Sequence, residues 1–183
     1  ALPINLQPGG VRFSGLDTIL EMPARKIALV GKPASGKTTG LRRVLFTAKE
    51  QLSIIPVELS PNDISDFQKV ISRTCMRVGI RDEATFHQIQ KKSGFLFFFD
   101  GLNEYEDIRT LSKDLAELSN TFRQSRFLVT SRKYEYLSIA LPSLSGFTPF
   151  EILELTATDH ESFIKNRVKD PKQQRRLLRL FSQ

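Results

Sequence analysis

Short apolar runs alternate along this chain with apolar residues at helical spacing, the signature of βαβ units and a mainly parallel sheet. Residues 26 to 30 read as a buried strand, and Leu41, Val44, Leu45 and Ala48 then line one face of a helix. Ile54, Ile55, Val57 and Leu59 predict a second strand, placed at a sheet edge because Pro56 cannot donate to a ladder. Ile64, Phe67, Ile71, Cys75 and Val78 predict one helix ending at Gly79, and residues 82 to 92 a further short one. The run Phe95 to Phe99 is the third strand, and Ile108, Leu111, Leu115, Leu118 and Phe122 mark the helix that returns from it.

A fourth strand is expected at residues 126 to 130, followed by an irregular stretch from Lys133 to Phe147 that contains Pro142 and Gly146. Ile152 to Leu155 reads as the fifth strand. Thr158-Asp159-His160-Glu161 has capping-box form and opens a helix carrying Phe163, Ile164 and Val168. The expected organisation is a lead-in over residues 1 to 24, an α/β core over 25 to 157, and a helical segment over 158 to 183 leading to a further domain.

Composition narrows the classes. A chain of 183 residues, 40% hydrophobic, supports one sizeable core, and its start at Ala1 reads as a piece of a longer protein. The lone Cys75 forms no internal disulfide, and His87 and His160 lack metal-ligand spacing, so an intracellular, cytoplasmic protein without structural zinc is expected. The longest apolar run, Phe95 to Phe99, is far short of the roughly 20 residues that span a bilayer. The net charge of +7 is spread along the chain except at its end, where Lys165, Arg167, Lys169, Lys172, Arg175, Arg176 and Arg179 crowd together. A solvated face or a contact with the next domain is favoured there over a phosphate-binding patch.

The chemistry lies in three segments. Gly31-Lys32-Pro33-Ala34-Ser35-Gly36-Lys37-Thr38 fits G-x-x-x-x-G-K-[ST] and falls between a strand and a helix, where a P-loop belongs. Its glycines let backbone N–H groups from Ala34 through Thr39 face phosphate oxygens, and the helix adds its positive N-terminal end. Gly31, Ala34, Ser35, Gly36, Lys37, Thr38 and Thr39 are the expected nucleotide-binding residues. Lys37 carries charge to the β- and γ-phosphates, the Thr38 hydroxyl ligates Mg²⁺, and Thr39 reaches the α-phosphate.

Phe95 to Asp100 has Walker B form, a buried strand ending in a carboxylate at the edge where open α/β sheets bind ligands. Asp100 is the second expected Mg²⁺ residue. Glu104 lies within a turn of it, either as the group that activates water or as part of the exposed acidic loop Glu104 to Asp107. Arg132, after the fourth strand, is either a sensor of the γ-phosphate or a surface arginine. The fold expected from these parts is a three-layer α/β/α P-loop NTPase with a mainly parallel five-stranded sheet.

Together, the loop at 31 to 39, Phe97-Phe98-Phe99-Asp100-Gly101-Leu102-Asn103-Glu104 and Leu128-Val129-Thr130-Ser131-Arg132 resemble the NACHT branch of the STAND ATPases. The likeness runs from about Leu20 to Val168, and its distinctive part is Gly101 directly after the aspartate. It implies a core like that of AAA+ proteins, Mg²⁺ on Asp100, catalysis by Glu104 and Lys37, and Arg132 as sensor. It further implies a regulatory ATPase of signalling or antiviral innate defence, closed with ADP and forming homo-oligomers with ATP. Asn103 departs from the family's usual aspartate, which bears on hydrolysis more than on Mg²⁺-ATP binding.

The family's lid domains do not fit in this chain, so adenine contacts are sought around Phe13 to Ile19 and Pro142 to Phe147. The leading reading is a slowly hydrolysing ATP switch. The alternative is a nucleotide-holding interaction module whose basic end docks to a partner or to nucleic acid, the latter not favoured. No Asn-Lys-x-Asp segment supports a GTPase, and no acceptor pocket or lid supports a small-molecule kinase.

Overall fold

Strands and helices follow one another as β1 (Pro3–Leu6), β2 (Arg12–Ser14), β3 (Lys26–Gly31), α1 (Lys37–Leu52), β4 (Ile55–Glu58), α2 (Pro61–Ile64), α3 (Phe67–Val78) and α4 (Glu83–Lys92). The chain continues through β5 (Phe95–Phe99), α5 (Ile108–Thr121), β6 (Arg126–Arg132), α6 (Lys133–Glu135), β7 (Thr148–Ile152), α7 (Ala157–Arg167) and α8 (Pro171–Phe181). The computed structural model describes residues 3–6, 12–14, 19–52, 54–92, 94–153 and 156–181.

One sheet runs in the order β2-β1-β7-β3-β6-β5-β4. The five strands β7, β3, β6, β5 and β4 are parallel, and the lead-in adds an antiparallel hairpin whose β1 pairs with β7. β4 lies at the far edge with Pro56 opposite Leu96, as its missing N–H requires.

The phenylalanine run is explained by burial on both sheet faces. Phe95, Phe97 and Phe99 join a cluster with α3, α4 and α5, while Leu96 faces the opposite cluster with Leu41, Val44 and Ala48 of α1. Phe86 stacks on Phe95 with ring centroids 4.7 Å apart, and Phe97 meets Phe127 at 5.2 Å. These are the three layers: helix α1 on one side, sheet, and helices α3 to α5 on the other. No helix among the described residues is long and apolar enough to cross a membrane.

Four local expectations are corrected. The helix expected from Ile64 to Val78 is split, because Asp66 caps α3 by accepting the N–H groups of Gln68 and Lys69; Phe67 is then exposed, and Val70, Ile71 and Thr74 form the buried face. The stretch after β6 is not irregular throughout, since α6 runs into a π-helical turn at Tyr136–Ala140 that buries Tyr136 and Ala140. The fifth strand is Thr148–Ile152 rather than 152 to 155, of which 154 and 155 lie outside the described residues. Pro149 obscured it; the described pairing with β1 stops at Phe150, so Pro149 sits where β3 is the described neighbour of β7. The capping box lies two residues earlier than expected, with the Thr156 hydroxyl and Asp159 carboxylate bonding each other's backbone N–H. In α7 Ile164 is buried, while the side chain of Phe163 lies outside the described set.

Tyr136 is fully buried, and its hydroxyl has no hydrogen-bond partner among the described residues. Burial pushes its phenol up to about 12. The folded chain therefore holds this proton more tightly than the unfolded chain, and the resulting stability is whole below about pH 10 and lost as pH rises through about 12. Tyr136→Phe removes both the orphan hydroxyl and this alkaline loss. Denaturant titrations at pH 7 and pH 11 should show the wild type losing more stability than the variant; equal losses count against the assignment.

Candidate phosphate site at the carboxyl edge of the sheet

Parallel strands present all their carboxyl ends at one edge, and here the ends of β3, β5 and β6 surround a cavity of about 360 Å³. The loop after β3 forms one wall. Ala34 and Gly36 both take positive φ, 59° and 89°, which curls the loop tightly between β3 and α1. Ala34, Gly36, Lys37, Thr38 and Thr39 line the cavity, and α1 begins at Lys37 with its first-turn N–H groups unpaired within the helix. Gly31 and Ser35 are placed differently. Gly31 is buried at the end of β3, and the Ser35 hydroxyl is buried with no hydrogen-bond partner among the described residues, so neither lines the cavity.

Lys37 spans the loop from inside. Its Nζ donates to the carbonyls of Gly31 at 3.2 Å and Lys32 at 2.7 Å, while Ser35 N–H also turns back to Lys32. Burial lowers the Lys37 ammonium below its ordinary range, and the nearby Arg132 charge adds to the effect. Asp100, Glu135 and Glu104 act in the opposite direction.

The far wall is the turn after β5. Phe99 pairs with Val129, so Asp100 arrives beside Thr130 of β6. The buried Thr130 hydroxyl donates to Asp100 Oδ1 and accepts the Gly101 N–H at 2.7 Å. Gly101 adopts φ +77°, and a Cβ there would stand 2.8 Å from the Glu104 carboxyl carbon. The glycine thus lets Glu104 fold back over its own turn, into the cavity wall. Asn103 Oδ1 accepts the Arg132 N–H at 2.9 Å, tying this turn to the end of β6. Arg132 lines the cavity, its side chain half exposed and 3.7 Å from Glu135.

The structure thus gathers Lys37, Thr38, Thr39, Asp100, Glu104 and Arg132 about one cavity. Thr130 and Asn103 were not assigned from sequence; the register that sets Thr130 beside Asp100 has no local signature. Among the described residues no three His, Cys, Asp or Glu side chains form a metal cage. Mg²⁺ is commonly held by one or two protein oxygens with phosphates and water, and the cavity lining offers the Thr38 hydroxyl and the Asp100 carboxylate as oxygens of that kind.

No described residue of the two segments expected to meet adenine lines this cavity. Leu144 and Phe147 are buried in the core, and Gly146 and Thr148 lie at the amino end of β3, roughly 17 Å of strand away from the cavity. Ile19 is also fully buried, residues 15–18 lie outside the described set, and so does the side chain of Phe13.

No protein family is matched by the sequence, and no curated protein sequence is detectably similar to it. Solved structures are. AMPPCP-bound DnaA from Aquifex aeolicus superposes with a TM-score of 0.56 at 16% identity, over 88% of this chain and 53% of that one. Cdc6p from Pyrobaculum aerophilum gives 0.58 at 13% identity, over 84% and 47%. The Aeropyrum pernix ORC1 protein in complex with DNA gives 0.56 at 14%, over 86% and 49%. The chain spans about half the length of these proteins. Its fold is the three-layer α/β/α P-loop fold that it shares with these structures.

Gly101→Ala tests the far wall. A side chain at positive φ destabilises by about 1–2 kcal/mol, and the clash displaces the Glu104 carboxylate. Chemical denaturation should show that loss; stability equal to wild type would mean that the turn is not as described.

Proposed function

We propose that this domain binds Mg²⁺-ATP in the carboxyl-edge cavity and hydrolyses it slowly, as the nucleotide switch of a larger NACHT-like signalling or defence protein. The observation that carries the reading is the meeting of Lys37 and Thr38 with Asp100, Glu104 and Arg132 around one cavity at the start of α1. The shared P-loop fold supports it.

In this reading the loop N–H groups and the first turn of α1 take the phosphate oxygens. Lys37 leaves the carbonyls of Gly31 and Lys32 for the β- and γ-phosphates. Thr38 and Asp100 would hold Mg²⁺, which would supply positive charge to offset that of the phosphoryl oxygens. Thr130 fixes which Asp100 oxygen stays free. Glu104 takes the proton of the attacking water, and Arg132 with Lys37 stabilises the charge on the transferring phosphoryl group. ADP and ATP then differ in what they ask of Arg132 and the Glu104 turn, which is the means by which nucleotide state reaches the surface and governs self-association.

Calorimetry with Mg²⁺-ATP should show that Lys37→Ala weakens binding by about a hundredfold, or roughly 2.7 kcal/mol. Equal affinity in both proteins would remove the basis of the proposal. Glu104→Gln should keep binding while turnover falls about 10²- to 10⁴-fold; unchanged turnover would reassign the base.

A second reading draws on the basic end. Lys165 is paired with Glu161 at 2.6 Å, but Lys172, Arg175, Arg176 and Arg179 of α8 are exposed and show no ion pair among the described residues. If α8 is a nucleic-acid surface, oligonucleotide affinity falls steeply with salt, and a Lys172→Ala, Arg175→Ala, Arg176→Ala triple variant reduces the slope by about three. A slope that stays the same in the variant excludes it.

A further inference from the structure

Asn103 stands in the phosphate cavity beside Asp100, Glu104 and Arg132, and the two ends of its amide have different fates. The Arg132 backbone N–H can only donate, so the amide end 2.9 Å from it is the oxygen. The NH₂ end is thereby directed elsewhere, and it has no acceptor among the described residues. A half-buried donor without an acceptor is costly unless solvent or a ligand takes it. The surroundings say which ligand. The same cavity is lined by Lys37 and Arg132, both donors, and two carboxylates, Asp100 and Glu104, already supply its negative charge.

We propose that Asn103 discriminates between nucleotides, holding the end of β6 through its carbonyl oxygen and donating its NH₂ to the terminal phosphoryl oxygens of a nucleoside triphosphate. This rests on the reading of the cavity as a nucleotide site. The physical basis is a comparison with the isosteric carboxylate. An aspartate would accept the same Arg132 N–H, so the turn would hold. Its second oxygen, however, would add a third negative charge beside Asp100 and Glu104, where the γ-phosphate must sit. A diphosphate, which lacks that group, escapes most of the repulsion. Asn103 is therefore a positioning residue for Arg132 and a contact for the third phosphate, and, against the expectation that position 103 bears mainly on hydrolysis, it biases the site toward the triphosphate.

The test is calorimetry of the wild type, Asn103→Asp and Asn103→Ala with Mg²⁺-ADP and with the non-hydrolysable Mg²⁺-AMPPCP. In Asn103→Asp the ratio of triphosphate to diphosphate affinity should fall about tenfold or more, with ADP affinity changed by less than about threefold. Asn103→Ala, which loses the donor without gaining a charge, should lower the ratio by about fivefold, and it keeps the test open if the aspartate variant does not fold. A purely structural role would weaken both nucleotides equally. An unchanged or raised ratio in whichever variants fold overturns the proposal while leaving the nucleotide site intact. A wild-type protein that binds neither nucleotide overturns the site reading, and this inference with it.

Discussion

The site depends on a single buried hydroxyl. Strand order places β6 between the strand that launches the phosphate loop and the strand that ends in Asp100, so the two halves of the site never touch through the sheet. Neighbouring strands lie about 4.8 Å apart, and the halves are held roughly twice that distance across β6. Thr130 makes this separation rigid. By donating to Asp100 and accepting from Gly101 N–H it satisfies two groups of the turn at once, in a position 1% exposed where an unmet partner is expensive. Asn103 adds a second fastening two residues further along each segment. The turn that carries Glu104 is consequently built onto β6 rather than hanging from β5.

The near wall is governed by a different constraint, the path of the loop. Positive φ at Ala34 is unfavourable for a residue with a Cβ, and the first-turn N–H groups of α1 are left without partners inside the helix. Lys37 offsets neither by itself, since its ammonium is directed at the carbonyls of Gly31 and Lys32 and is partly desolvated. A loop in this condition gains from an anion: the dipoles acquire a partner, and the lysine exchanges two carbonyls for a full negative charge. Strain concentrated at a site in this way is a reason to infer a ligand, because it is sustained only by the surrounding packing.

The reach of sequence reasoning follows from which interactions are local. The strand-loop-helix order around residues 31 to 38, the edge position of β4 and the double burial of Phe95 to Phe99 were legible because Pro56, the glycine spacing and the unbroken apolar run each impose a local rule. β7 was misread because Pro149 breaks that rule at a place where the sheet permits it. Asp66 ended one helix and began another within an apolar stripe that looked continuous, since a cap acts through a side chain that periodicity ignores. Thr130 and the second bond of Asn103 were beyond reach for another reason. They join positions 29 to 30 residues apart through strand register, which no window along the chain contains.

The charge of the molecule and the charge of the site are separate matters. The chain carries +7, yet the cavity lining holds two cations, Lys37 and Arg132, against two carboxylates, Asp100 and Glu104. A polyphosphate entering this cavity meets no net formal charge. Beyond Lys37, Arg132 and the Mg²⁺ of the proposed complex, its attraction rests on the backbone dipoles at the first turn of α1, which are directional and act within one turn of the helix. Selectivity for phosphate then depends on the path of the chain more than on its composition. A site balanced in this way is sensitive to one added charge, which is why a neutral amide at position 103 matters more than its size suggests.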